Sequence, residues 1–275
     1  MKLAICFFGN MGWYNNSNGV KKELALECLS KTINQIITLN KDSYFFGHLW
    51  SGENTDKLLD LPFTNLIIED QRIFQLEDDF TNKYNFGNQM KYDLYLKRRF
   101  GSDKEGMISY ASKVKSRWYS TQCSILLADK FSKENNLKFD NILLLRYDLV
   151  LTSSFKLPVF KNKIFLGDSS NYSSTLLPFL ARIVNLFPLS KIAKVQPNAL
   201  KYSLTSFINY PHVSDTWTYG NYAYMLKLSR LFDEFENFHM SPHISLLQFY
   251  KKEKIKISFI NEQGKDYNLY RFQLK

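Results

Sequence analysis

The chain has 275 residues, with 36 Lys and Arg against 26 Asp and Glu, 23 Phe, 17 Tyr and three Cys. That length buries the core of one large domain or two tightly joined ones, and the net charge of +10 favours an anionic partner. The basic residues are scattered singly or in pairs such as Lys21-Lys22 and Lys251-Lys252, without the basic arm, zinc finger or tandem signature of a nucleic-acid-binding protein.

Cys6, Cys28 and Cys123 are too few and too far apart for a disulfide scaffold or a zinc knuckle, which suits a reducing cytoplasm. The opening apolar run at residues 3–8 is too short for a signal peptide, and no run is long enough to span a membrane. A cytoplasmic location is expected.

Residues 3–8 read as a first strand. Gly9-Asn10-Met11-Gly12 follows as a loop, and residues 20–39 show helical spacing, with Leu24, Cys28, Thr32 and Ile36 on one stripe. Backbone amides at Gly9 and Gly12, with the amino end of that helix, can receive a phosphate; the other reading is a plain turn. The glycines match neither the phosphate-loop nor the dinucleotide fingerprint. Residues 43–50 and 63–69 form the next two strands, an alternation with helices that fits an α/β sheet better than a sandwich. His48 and Trp50 either contact a ring in a crevice or fill the core, the imidazole bonded to a carbonyl. Residues 70–110 lack periodicity and read as a peripheral insertion or an active-site cover. A helix over 110–134 carries Trp118, Ile125, Leu126 and Ala128 toward the core and Arg117, Tyr119, Ser120 and Gln122 on neighbouring turns.

Asn141-Ile142-Leu143-Leu144-Leu145-Arg146-Tyr147-Asp148 is the organising stretch: a buried strand that runs into polar chemistry at its carboxyl end. Arg146 and Asp148 are two apart, so an extended backbone sends both to one side. There they either share a polyanionic ligand and its metal or form an internal ion pair. Residues 163–166 repeat the pattern and end in Gly167-Asp168, where Asp168 holds an acceptor hydroxyl or caps its own turn. A helix is expected over 173–187, and residues 190–210 are ambiguous. The polar and aromatic run at 213–221 offers Trp217 and Tyr219 for stacking on a sugar or base and Asp215 for orienting its oxygens; the alternative is a connector plugged by Trp217. Asn221 is expected to cap a helix over 222–238, and Ser241-Pro242 to start another. His239 and His243 flank that start without forming a zinc motif. Residues 256–260 give a late strand, and the tail 261–275 crosses a cleft or wraps the domain.

The strand ending Phe8-Gly9, the segment ending His48-Leu49-Trp50, the helix before Arg146-Tyr147-Asp148, Gly167-Asp168, and Ser214-Asp215 with Tyr219-Gly220 before a helix occur in this order. Together they resemble bacterial and viral polysaccharide glycosyltransferases with a GT-A-like fold. The resemblance implies an α/β fold with a mixed central sheet flanked by helices in a single domain. Residues 1–155 would form the donor-binding part and 156–275 the acceptor side. It also implies a nucleotide-sugar donor, a saccharide or lipid-linked glycan acceptor, and a variant Asp-x-Asp element at Arg146-Tyr147-Asp148. In that element Asp148 contacts the donor directly or through Mg²⁺ or Mn²⁺, while Arg146 replaces the first carboxylate and can itself neutralise a diphosphate. Gly9, Asn10 and Gly12 would line the donor phosphates. An inverting reaction needs a base beside the incoming hydroxyl, for which Asp215 is the first choice and Asp168 the second. The expected setting is surface polysaccharide, lipopolysaccharide or capsule synthesis at the inner face of an anionic membrane. A nucleotide-dependent phosphotransferase and a non-catalytic carbohydrate-binding protein are the competing readings.

Overall fold

The computed structural model describes residues 1–9, 22–51, 56–77, 100, 103–147, 149–151, 157, 164–168, 217–262 and 267–269. The first strand, β1 (Leu3–Gly9), is buried along nearly its whole length. Its residues alternate between two cores: Ala4, Cys6 and Phe8 enter one, and Leu3, Ile5 and Phe7 enter the other. A strand apolar on both faces belongs inside a sheet with both sides covered. Helix α1 (Lys22–Leu39) then leads to β2 (Ser43–Trp50), and a short 3₁₀ turn (Asp56–Asp60) to β3 (Asn65–Glu69). β2 runs parallel to β1 and β3 parallel to β2.

Helix α2 (Lys104–Glu134) is the long element, about 46 Å at the usual rise per residue. It begins well before residue 110 because the Asp103 carboxylate caps it, accepting from the Gly106 amide at 2.8 Å. Met107, Ala111, Val114, Trp118, Ile125 and Ala128 are buried, together with the small hydroxyl residues Ser116, Ser120, Thr121 and Ser124. Leu126, expected to face the core, is 44% exposed.

The chain returns through β4 (Asn141–Arg146), parallel to β1, and β5 (Leu149–Leu151). The remaining elements are β6 (Ile164–Asp168), β7 (Trp217–Asn221), α3 (Tyr222–Ser229), a 3₁₀ turn (Phe235–Asn237), α4 (Pro242–Lys252), β8 (Ile257–Glu262) and β9 (Tyr267–Leu269). Seven strands form one mixed sheet in the order β3-β2-β1-β4-β7-β6-β8, so strands on both sides of residue 155 share it. β7 runs antiparallel to both of its neighbours, β4 and β6. β5 and β9 pair antiparallel in a separate ribbon. The Thr32 hydroxyl on α1 holds β5, donating to the Leu149 carbonyl at 3.1 Å and accepting from the Leu151 amide at 3.3 Å. α1 covers one face of the sheet, and α2, α3 and α4 cover the other.

Two expectations change. Residues 217–221 are a core strand and not a loop: Trp217 and Tyr219 are 2% and 0% exposed, packed with Leu143, Leu145 and Phe165. They are therefore unavailable for stacking on a sugar. The helix after Asn221 ends at Ser229, because Leu231 and Phe235 reach the core through a turn and a 3₁₀ segment. Asn221 does cap that helix, accepting from the Ala223 amide at 3.0 Å. Pro242 opens α4 as expected, although the Ser241 side chain makes no cap bond. The helix expected over 173–187 and the segment 190–210 lie outside the described residues.

Candidate functional site

From β1 the sheet grows in one direction through β2 and β3, and β4 is then laid on the other side of β1. The reversal leaves a crevice between the carboxyl ends of β1 and β4, the position where open α/β sheets bind ligands. Phe8 and Arg146 are register partners across it. Gly9 ends β1 at φ +103°, a conformation that side chains other than glycine rarely adopt. Arg146 ends β4 half-buried. β6 is antiparallel to β7 and therefore points the same way as β4, which brings the backbone of Asp168 to this same rim. β7 begins there too, since Trp217 pairs with Leu145.

Gly9, Arg146 and Asp168 thus share one edge of the sheet, drawn from three strands far apart in sequence. Asn10, Gly12, Asp148 and Asp215 lie outside the described residues. Asp148 follows Tyr147, which is buried on the α1 side and stacked on Phe7 at 5.5 Å between ring centres.

Behind Gly9 lies a hydrogen-bonded network that the sequence did not disclose. The Gly9 amide donates to the Ser120 hydroxyl at 2.8 Å. Ser120 Oγ is also 2.8 Å from His48 Nδ1 and 3.1 Å from the His48 carbonyl. His48 Nε2 meets Glu69 Oε1 at 2.8 Å, and Arg72 donates to Glu69 Oε2 at 2.6 Å. Burial lowers the pKa of His48, so the ring is neutral at pH 7. It then donates from Nε2 to Glu69 and accepts from Ser120 at Nδ1. Burial alone would raise Glu69, but hydrogen bonds from His48 and Tyr119, with the charge of Arg72, bring it below its ordinary value.

Trp50 stacks on Tyr119 at 5.6 Å and 19°, and the Arg72 guanidinium lies over the Tyr119 ring, 5.1 Å from its centre. His48 and Trp50 are therefore packing residues, with Ser120 and Glu69 in place of the expected carbonyl partner. The available signal was the pair Arg117 and Ser120, polar residues three apart beside a buried helical stripe. His239 is also structural: its Nδ1 accepts from the Ser241 amide at 2.9 Å.

Among the described residues no group of three or more His, Cys, Asp or Glu converges as a metal site. The described side chain at the end of β4 is a guanidinium, which repels a divalent cation. The described residues therefore supply no metal ligand set, and Asp148, the expected ligand, lies outside them.

The strand order, the reversed β7 and the helices on both faces make this an α/β fold with a mixed central sheet. No family model matches the chain, and no curated protein matches it. Among solved structures, apo mouse xyloside xylosyltransferase 1 is similar with a TM-score of 0.38 and 12% identity, over 94% of this chain and 84% of that one. At that score the likeness carries nothing about activity.

Proposed function

We propose that the protein is a glycosyltransferase that moves a sugar from a nucleotide-sugar donor to a saccharide hydroxyl. The observation that carries this reading is the crevice at the topological switch, where Gly9 and the Arg146 guanidinium end adjacent parallel strands. A guanidinium there suits phosphate oxygens better than neutral sugar hydroxyls.

The acceptor oxygen attacks the anomeric carbon, the bond from that carbon to the donor phosphate oxygen breaks, and the electron pair leaves with the nucleotide. Arg146 stabilises the charge that develops on the departing phosphate. Gly9, Asn10 and Gly12 are the contacts for the donor phosphates, with Asp148 as a further donor contact. For an inverting transfer Asp215 takes the hydroxyl proton, with Asp168 as the second choice. The acceptor class is a surface polysaccharide, lipopolysaccharide or capsule glycan, elongated at the inner face of the cell membrane.

The test is a calorimetric panel of UDP-, GDP-, dTDP- and CMP-sugars with and without Mn²⁺, followed by transfer assays. Asp148→Asn is expected to lose nearly all transfer while keeping a cooperative melt, and Asp215→Asn to lose turnover while keeping donor affinity. Absence of binding to every nucleotide and nucleotide sugar would overturn the reading. Wild-type transfer by a folded Asp148→Asn protein would remove Asp148 from the site.

A further inference from the structure

Helix α2 passes the carboxyl end of β1 at Ser120, and the hydroxyl there holds the backbone of Gly9. The Gly9 amide donates to Ser120 Oγ at 2.8 Å across 111 residues of chain. On its other side the hydroxyl meets Nδ1 of His48 at 2.8 Å and the His48 carbonyl at 3.1 Å. Glu69 in turn fixes the far nitrogen of the ring at 2.8 Å. Ser120 and His48 are fully buried, so water does not compete for these bonds.

Gly9 has φ +103°, and a Cβ built on it would meet no atom within 4 Å. The glycine is therefore required by its backbone angle and not by crowding. A glycine also has the most conformational freedom to lose, so a defined turn out of β1 needs a hold from elsewhere. That hold is built from expensive groups. His48 lies between Phe46 and Trp50 on one face of β2, all three buried, where an apolar side chain would fill the space without drawing an imidazole and a hydroxyl out of water. What the polar groups add is a single direction for the chain at the mouth of the switch-point crevice, next to the Phe8 and Arg146 pair.

We propose that Ser120 is a positioning residue for the donor site: its hydroxyl, backed by His48 and Glu69, presets the turn at Gly9, so that a nucleotide sugar meets a backbone already in place. The proposal rests on the transferase reading for the identity of its ligand, and its test separates the two. Without the hydroxyl, binding itself must order the turn, and that cost appears in the affinity for the donor. The affinity for the acceptor is not expected to change.

For wild type, Ser120→Ala and Ser120→Cys, a melting curve is recorded, exchange of the Gly9 amide is followed by NMR, and affinity is measured across the panel of UDP-, GDP-, dTDP- and CMP-sugars. Transfer assays then give KM for donor and acceptor separately. Ser120→Ala is expected to lose protection of the Gly9 amide and to bind the preferred donor about 5- to 30-fold more weakly, the effect of one lost buried hydrogen bond. Donor KM should rise accordingly while acceptor KM stays. Ser120→Cys nearly keeps the volume, but sulfur accepts an N–H poorly, so it should change in the same direction. It decides the matter if Ser120→Ala fails to fold. Wild-type donor affinity in a folded variant overturns the positioning role, as does an equal rise in acceptor KM. If sugar transfer proceeds while the folded variants bind donor like wild type, the positioning role falls and the transferase reading stands. If Gly9 protection and nucleotide affinity both drop in the variants but no donor yields a transferred sugar, the positioning role stands and the transferase reading falls. Wild-type protein that binds no nucleotide or nucleotide sugar overturns both.

Discussion

His48 is fully buried with both ring nitrogens satisfied, and its position makes acid the natural probe of the network behind Gly9. Burial depresses its pKa, whereas the unfolded chain takes up this proton near pH 6.5. Below about that pH the unfolded state binds more protons, so stability falls as pH falls, until the folded pKa is passed and the loss levels off. Glu69 adds a loss at lower pH, because its depressed carboxyl stabilises the fold only while ionised. When the imidazole does protonate, Nδ1 becomes a donor to Ser120 Oγ, and the hydroxyl proton can turn to the His48 carbonyl at 3.1 Å. Urea midpoints for wild type and His48→Gln at pH 7.5, 6.5 and 5.5 test this. The wild-type decline between the two lower values is expected to flatten in the variant, and parallel declines would show that His48 is not the titrating group.

At the scale of elements, packing decided what the sequence could and could not disclose. β1 and β4 were legible because a strand covered on both faces is a continuous apolar run. β7 was not. Trp217-Thr218-Tyr219-Gly220 has the polar and aromatic mixture of a binding loop, yet its alternate aromatics fill a core supplied by Leu143 and Phe165, its register neighbours on two other strands. Nothing local to residues 213–221 names those neighbours. Gly47 is the same lesson at one position. A Cβ there would strike the Tyr147 hydroxyl and lie 2.6 Å from Leu66 Cδ1, so β2 approaches the turn after β4 only because the side chain is missing. Gly47→Ala is expected to destabilise the protein by about 1–3 kcal/mol, as overpacking does. Tyr147→Phe removes the nearest atom and should return part of that loss in the double variant, measured by a denaturation cycle. Strict additivity of the two changes would show that the contact is not the cause.

For the whole molecule, the candidate site was legible in part. The sequence marks a carboxyl-terminal strand edge by its change from apolar to polar residues, as at Arg146 and Gly167-Asp168. That these edges belong to neighbouring parts of one sheet follows only from the strand order. Arg117 and Ser120 were visible as polar residues, but their partners were hidden because they lie across more than a hundred residues of chain. The net charge of +10 belongs to this scale as well. No helix among the described residues is long and apolar enough to cross a membrane; the attraction of a net positive charge to an anionic bilayer is electrostatic and screened by salt. In liposome flotation, the protein is expected to rise with anionic vesicles at low salt and to stay behind at high salt. Equal recovery in the bottom fraction at both would remove the membrane from the proposal and leave the transfer reaction untouched.

The ribbon of β5 and β9 sets the order in which this molecule can mature. Leu149–Leu151, directly after the Arg146 edge, takes its partner from Tyr267–Leu269, and β6 likewise pairs with the late strand β8. A nascent chain therefore carries β5 and β6 well before their partners β9 and β8 have been translated. Both pairings are long-range contacts, so each must overcome the closure entropy of a long loop before it contributes stability.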